Sequence, residues 1–472
     1  MNSFTNDRSS KIAISRGLSL IIALVFSGLT LRATFAAGGA PGASEDVSSA
    51  IEEARAALGA RLFADDRFSS PNGDFRQSCS HCHMTNQDPG GVRAYTDFLP
   101  KSWVPWRSSD PRRDGLRNAP TLLDAGRMPR LHFDGEFGSL EELVKGTLSG
   151  RSLGWLPGEE KQAFAQVYEV LVRDEPEGGP AGRSYRDLFR DAYSVDLRAG
   201  TPEEVVEWAA RALSDFVRDL KTERTTPYDE FMRANGLDES LSATETAAAY
   251  STRALAKLSD LETQRRLRLS ARFDAKALAG LKIFLRSDQE AGSGNCVACH
   301  APPFFSDFAF HNMGTSQLEY DLVHGDGSFA QLRIPSAASA VRPAPQFKET
   351  ASVAKREQAD LGYWNYVRLD GTERRSDETA DALLVRMIAA FKTPTLRNLA
   401  YSQPYMHNGM YPTLESALSE IIAASELARA GRVRSADEQL ARIRIGEGDI
   451  VPLIAFLSTL NQDLGKTRDA DY

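Results

Sequence analysis

Two five-residue stretches constrain this chain more than any other feature: Cys79-Ser80-His81-Cys82-His83 and Cys296-Val297-Ala298-Cys299-His300. Each is a C-x-x-C-H, the spacing at which two thiols add to the vinyl groups of one haem and the adjacent imidazole becomes an axial ligand of the iron. The four cysteines of the chain are all consumed by these motifs. A structural zinc site from two CxxC pairs usually keeps them about 15–20 residues apart, whereas here the second pair begins only at Cys296, far along the chain from Cys82. A pair of redox dithiols leaves His83 and His300 unexplained. The motifs therefore predict two covalent c-type haems, held by Cys79, Cys82, Cys296 and Cys299 and ligated by His83 and His300.

The amino terminus reads as an address. Arg8, Lys11 and Arg16 precede an apolar run over 17–31, and small residues follow at Thr34-Phe35-Ala36-Ala37. This is the order of a secretory signal peptide, predicted to span 1–36 with cleavage near 36–40. Export to the periplasm suits the motifs, since c-type haem is attached there. Losing 1–36 removes four basic residues and one acid and moves the formal charge from −8 to −11. Such a charge argues against a nucleic-acid partner and suits docking to a basic donor protein.

The length predicts two or more domains, with one motif in each. The boundaries drawn are 37–237 for an N-terminal haem domain, 238–272 for a charged, Ala-rich helical linker, and 273–472 for a C-terminal haem domain. Residues 48–63 and 273–285 have helical periodicity, the second with Asp274 as N-cap, and each leads through a polar loop into its motif. Thr201-Pro202-Glu203-Glu204 is a capping box opening a core helix, and Asp449 opens a last one. The stretches 174–184 and 314–360 read as loops. Pro120-Thr121-Leu122 recurs as Pro394-Thr395-Leu396, and Phe133-Asp134-Gly135 with Ser139-Leu140-Glu141 recurs as His407-Asn408-Gly409 with Thr413-Leu414-Glu415. The offset is the same in every pair. Ser139 and Thr413 are candidate helix caps. The expectation is a mainly α chain of two cytochrome c-like haem domains, related by internal duplication and packed together.

With these residues in view, the chain resembles the bacterial di-haem cytochrome c peroxidase/MauG family. The likeness runs through LGARLFADDRFS (58–69), LRNAPTLLD (116–124), CVACHAPPFFSDFAFHNMG (296–314) and FKTPTLRNLAYSQPYMHNG (391–409). It implies that His83 ligates the iron of a peroxide-reactive haem and His300 that of an electron-relay haem. It also implies a calcium ion between the domains, held by the Asn118 side chain and the carbonyls of Ser402 and Pro404, and a homodimer. A partner is implied as well: a small electron donor (cytochrome c or cupredoxin) or a protein substrate.

Departures from that pattern bear on function. The Gln and Glu that handle protons above the reactive haem fall here on Leu143 and Leu153, and cleavage of an O–O bond needs a positioned acid or base. Glu159, Glu160, Arg151 and His132 are the candidates to fill in; His132 is also read as a core histidine. The removable distal His of some peroxidases falls on Asp110, and the inter-haem Trp on Phe133. The sixth ligand of the relay haem falls on Ile421, which leaves His407, Met410 and Met313. Three functions follow: a peroxidase, a MauG-like oxidase of a protein or organic substrate, and a two-haem carrier or sensor.

Overall fold

The computed structural model describes residues 43–88, 91–96, 108–109, 117–175 and 182–462. The predicted leader, Asp110, Trp103 and Trp106 lie outside them. From Ser48 onward the chain is one compact unit. Among the described residues there are thirteen α-helices and four short strands, so the mainly α expectation holds. No helix among these residues is long and apolar enough to cross a membrane.

The first part comprises α1 (Ala43–Ala64), the single turn α2 (Cys79–Cys82), the antiparallel strands β1 (Met84–Asp88) and β2 (Gly91–Thr96), and then α3 (Leu140–Leu148), α4 (Glu160–Arg173), α5 (Tyr185–Tyr193) and α6 (Pro202–Asp219). Leu58 and Leu62 of α1 are fully buried, as their spacing predicts. The capping box of α6 forms as read, Thr201 Oγ1 accepting from the Glu204 N–H while the Glu204 carboxylate accepts from the Thr201 N–H. Val205, Ala209, Leu213, Phe216 and Val217 line its inner face and join one apolar cluster with α1, α3, α4 and α5.

The second part comprises α7 (Pro227–Ala234), α8 (Ala247–Thr263), α9 (Ala275–Leu285), β3 (Phe310–His311), α10 (Thr315–His324), α11 (Ala380–Arg386), β4 (Phe391–Lys392), α12 (Leu414–Arg429) and α13 (Glu447–Ser458). β3 and β4 pair antiparallel. Asp274 caps α9 as predicted, accepting from the Ala277 N–H at 2.9 Å. Helix α8 is more than a solvated linker, because Tyr250, Ser251, Ala254 and Leu258 are buried. The last helix starts two residues before Asp449, whose carboxylate at the third helical position accepts from the Gly446 N–H. The stretch expected to be loop from 314 contains α10, whose polar sequence hides a one-sided apolar contact centred on Tyr320. Most of the remainder is irregular but wraps a third apolar cluster around Trp364 and Phe347.

Features of the two parts correspond at the same offset as the recurrent sequence. Asp124 and Asn398 are both left-handed, and each opens a short 3-10 turn, Ala125–Arg127 and Leu399–Tyr401. The isolated bridges Leu131–Phe137 and Tyr405–Tyr411 correspond, as do the positive φ angles at His132 and Met406. Ser139 and Thr413 each cap the following helix, α3 and α12.

Two glycines set how closely the helices approach. A Cβ at Gly59 would sit 2.3 Å from the Phe216 Cβ of α6, and one at Gly280 would sit 2.0 Å from the Pro452 carbonyl oxygen of α13. Backbone cannot yield as a side-chain tip does, so Gly280→Ala should push α9 off α13. The expected cost is about 1–3 kcal/mol, read as a lower denaturant midpoint at unchanged slope. A variant with the wild-type midpoint would show that this contact does not set the packing.

Candidate active site

The first motif opens onto a cavity of about 320 Å³ lined by Cys79, Cys82 and His83. The thiols are not joined to each other. Helix α2 brings them to one side, since three residues on a helix return to the same face. The walls opposite are apolar: Phe63, Leu148, Leu213 and Val217, together with Leu143 and Leu153. Burial, together with the nearby His132, lowers the His83 imidazole to about 4, so it is neutral and offers a lone pair. Its Nδ1 is buried without a hydrogen-bond partner, and Pro120 of the recurrent Pro-Thr-Leu element lies beside the ring. Two thiols, a neutral buried imidazole and an apolar cavity fit a covalently held haem.

The second motif is held more tightly. His300 Nδ1 donates to the Phe305 carbonyl at 2.9 Å, which fixes the tautomer and leaves Nε2 to face a metal. Burial lowers its pKa, so it too is neutral. Beside Cys299, His311 lies between Asp437 (2.7 Å) and Asp307 (2.9 Å). Burial disfavours its charge, but the two carboxylates outweigh this and raise it to about 12. His311 is thus a charged brace beside Cys299. His81 is exposed and accepts from the Ser78 N–H. His324 is half-buried against Tyr320, more enclosed than a surface residue.

The remaining expected residues fall as follows. Leu143 and Leu153 do line the first cavity, with Arg151 and Phe133. Glu159 and Glu160 sit instead at the start of α4, accepting from the N–H groups of Leu156 and Gly158. Ile421 and Met313 pack against the second apolar cluster, and the Met410 N–H donates to Asn408. His407 is buried and stacked on Phe391, with ring centroids 3.5 Å apart. Burial lowers it to about 3, and its Nε2 has no hydrogen-bond partner. Asn118 meets the expected loop. Its Nδ2 donates to the carbonyls of Pro404 (2.6 Å) and Met406 (2.9 Å), while its Oδ1 is buried without a hydrogen-bond partner. Ser402 opens the same loop, its N–H donating to Leu399.

Two backbone bonds tie the parts together at the cavity: Asn118 N–H to the His407 carbonyl (2.7 Å) and Lys392 N–H to the Phe133 carbonyl (2.8 Å). Arg117, buried, pairs with Asp134 (2.6 Å) and with Asp360 from the far part of the chain (2.7 Å).

Beside His132, which the sequence offers as a candidate, the cavity also contains Glu136 and Lys348, which the sequence reading missed. His132 Nδ1 lies 3.3 Å from Glu136 Oε2, and Glu136 Oε1 accepts from Lys348 Nζ (3.0 Å) and from the Tyr366 hydroxyl (2.8 Å). Burial would raise the Glu136 pKa, but His132 and Lys348 hold it well below the usual carboxylate range. The i, i+4 relation of Glu136 to His132 was there to be read. Nothing local points to Lys348 and Tyr366, which lie far along the chain from Glu136.

Residues 53–236 match the family model described as di-haem cytochrome c peroxidase. A cytochrome-c peroxidase, IdrP2, of Pseudomonas sp. (strain SCT) is 25% identical over 86% of this chain and 81% of its own length. The methylamine utilization protein MauG of Paracoccus denitrificans is 24% identical over 89% and 92%. In structure, the di-haem peroxidase BthA from Burkholderia thailandensis shares the fold with a TM-score of 0.52 at 20% identity, covering 87% of this chain and 86% of that one. A MauG-like protein associated with microbial copper homeostasis does so at 0.51 and 21%, covering 89% and 93%. The chain thus matches the di-haem cytochrome c peroxidase family model over residues 53–236 and is similar over most of its length to cytochrome-c peroxidases and MauG proteins.

Proposed function

We propose that this chain is a periplasmic oxidoreductase that reduces hydrogen peroxide in the cavity beside His83, using electrons that enter through the C-terminal motif. The observation that carries the reading is the cavity itself, in which the first motif faces apolar walls and one half-buried polar cluster. When bound, the two haems supply the redox chemistry, one for peroxide and one for electron entry. His83 and His300 hold their irons as neutral imidazoles. His132 is the acid–base candidate, because Leu143 and Leu153 cannot move a proton. Phe133 lies on the path between the two sites. His407, whose buried Nε2 has no hydrogen-bond partner, or else Met410, would help to hold the haem of the C-terminal site. A calcium ion held by the Asn118 side chain and the carbonyls of Ser402 and Pro404 belongs to this reading, since turning the Asn118 amide over would set its Oδ1 beside the Pro404 carbonyl oxygen. The negative net charge suits a small basic cytochrome or cupredoxin as donor. The corresponding structural features of the two parts support an internal duplication, with one motif in each domain.

A second reading, MauG-like oxidation of a protein or organic substrate, is favoured by the two leucines in the cavity and by the likeness to MauG proteins. Absorption and EPR spectra of the ferric, haem-loaded protein, followed by peroxide, test the proposal. One high-spin and one low-spin signal, with the high-spin one consumed by peroxide, is the expected result. Two low-spin signals that stay unchanged after half-reduction and peroxide would make the protein a carrier or sensor. Rapid peroxide consumption with a reduced cytochrome favours the first reading over the second.

A further inference from the structure

The polar cluster in the cavity has an order that the proposed peroxide chemistry alone does not require. Leu131 to Phe137 is a tight loop, closed by the Leu131 N–H to Phe137 carbonyl bond (2.9 Å) and with left-handed backbone at His132. It places His132 and Glu136 side by side, and the edge of the imidazole ring rests on Phe137 at 4.9 Å and 87°. An ionised carboxylate can only accept. The Glu136 contact therefore takes the proton on His132 Nδ1 and leaves Nε2 with its lone pair. Glu136 is itself pinned from the other side of the chain. Lys348 and Tyr366 both donate to its Oε1, and Lys348 also hydrogen-bonds the Tyr366 hydroxyl. The ligand atoms of His132, Asp134 and Glu136 lie close enough for a cation, but Arg117 holds Asp134, and Lys348 already supplies the positive charge at Glu136.

We propose that Glu136 is a positioning residue that holds His132 as the Nδ1–H tautomer, and that Lys348 and Tyr366 aim Glu136. His132 Nε2 then takes the proton from one oxygen of hydrogen peroxide and delivers it to the other, which leaves as water when the O–O bond breaks, so the imidazole ends as it began. The two electrons that reduce the remaining oxygen would come from the haems and its two protons from solvent. This rests on the reading that peroxide is handled in the N-terminal cavity. It adds that the acid–base apparatus is shared, with the C-terminal half supplying the groups that orient it. Asp or Glu behind a histidine does the same in unrelated enzymes.

Hydrogen cyanide probes the proton step without turnover, because it binds ferric haem as the anion and must leave its proton in the pocket. Stopped-flow association of cyanide would be compared for the haem-loaded wild type, Glu136→Gln, Glu136→Asp, Lys348→Met and Tyr366→Phe. E136Q should bind about 10²-fold more slowly, since its amide can present N–H to the ring and select the wrong tautomer. E136D should recover most of that loss. K348M and Y366F should each slow binding about tenfold, as lost supporting bonds do. Should E136Q fail to fold, these two carry the same test. Wild-type cyanide rates in all the variants would overturn the inference even if peroxide is still consumed. Slowed cyanide binding in a protein that ignores peroxide would instead sink the peroxidase reading and leave the His132–Glu136 assignment standing.

Discussion

The double variant Cys79→Ser, Cys82→Ser is expected to carry one covalently bound haem per chain in place of two and to lose its reaction with peroxide. Both thiols face the cavity and are not joined to each other, so each is available for a thioether, and serine cannot form one. The loss reaches beyond the covalent link. The cavity is walled mostly by apolar side chains, and an unfilled apolar void of this size forfeits packing along those walls. The N-terminal part should therefore loosen as well as lose its chemistry. The counterpart, Cys296→Ser with Cys299→Ser, should also retain one haem, but with the opposite consequence: peroxide still meets the His83 site, while reduction by a donor protein stalls. Denatured haem stoichiometry by pyridine haemochrome, and peroxide consumption with and without donor, separate the two. A C79S/C82S protein that still consumed peroxide would place the chemistry at the other site.

Much of this site was legible from the sequence because it is local. CxxCH within one helical turn, Ser139 and Thr413 as caps, and Asp274 before an apolar run each express their structure within a few residues. So do the loops that follow the two Pro-Thr-Leu elements, where the left-handed angles at Asp124 and Asn398 correspond. Leu143 and Leu153, onto which the resemblance maps the proton-handling Gln and Glu, are among the residues lining the cavity. What the sequence concealed is long-range. Lys348 sits in a stretch read as featureless loop, yet its ammonium closes the carboxylate of Glu136, far earlier in the chain. The third apolar cluster, with Trp364 and Phe347 in edge-to-face contact, is built largely from irregular chain that has neither a helical nor a strand period. The Asp360 partner of Arg117 comes from the same stretch. Periodicity reports which face of an element is buried and says nothing of which distant loop covers it.

That division also shapes the second large effect, expected at Arg397. The alternate residues 393, 395 and 397 grip the loop that follows His300. Ser306 Oγ donates to the Thr393 carbonyl (2.7 Å), Thr395 Oγ1 to the Phe304 carbonyl (2.6 Å), and Arg397 Nε to the Pro303 carbonyl (2.8 Å). The remaining arms of the guanidinium meet both carboxylate oxygens of Asp229 in α7, at 2.8 and 3.0 Å, and neither side chain is exposed beyond 2%. Removing one partner of such a pair strands a buried charge, so Arg397→Met should cost about 3–5 kcal/mol near neutral pH. The pH dependence has a definite sign. Burial raises the Asp229 pKa, but Arg397 outweighs it and holds the carboxyl below its ordinary value. Its contribution is therefore present above the unfolded carboxylate value of about 3.9 and is lost as pH falls through the lower folded value. In R397M burial acts with less opposition, the carboxyl takes up its proton more readily, and the cost shrinks on acidification. Denaturant midpoints at neutral pH and near pH 4 should converge between wild type and variant, and Asp229→Asn placed on top of R397M should restore much of the neutral-pH loss. Divergence at low pH would mean that the stranded carboxylate is not the cause. Because the grip ends on the His300 loop, the absorption of the C-terminal haem should shift in R397M, while that of the haem at Cys79 and Cys82 stays as it was.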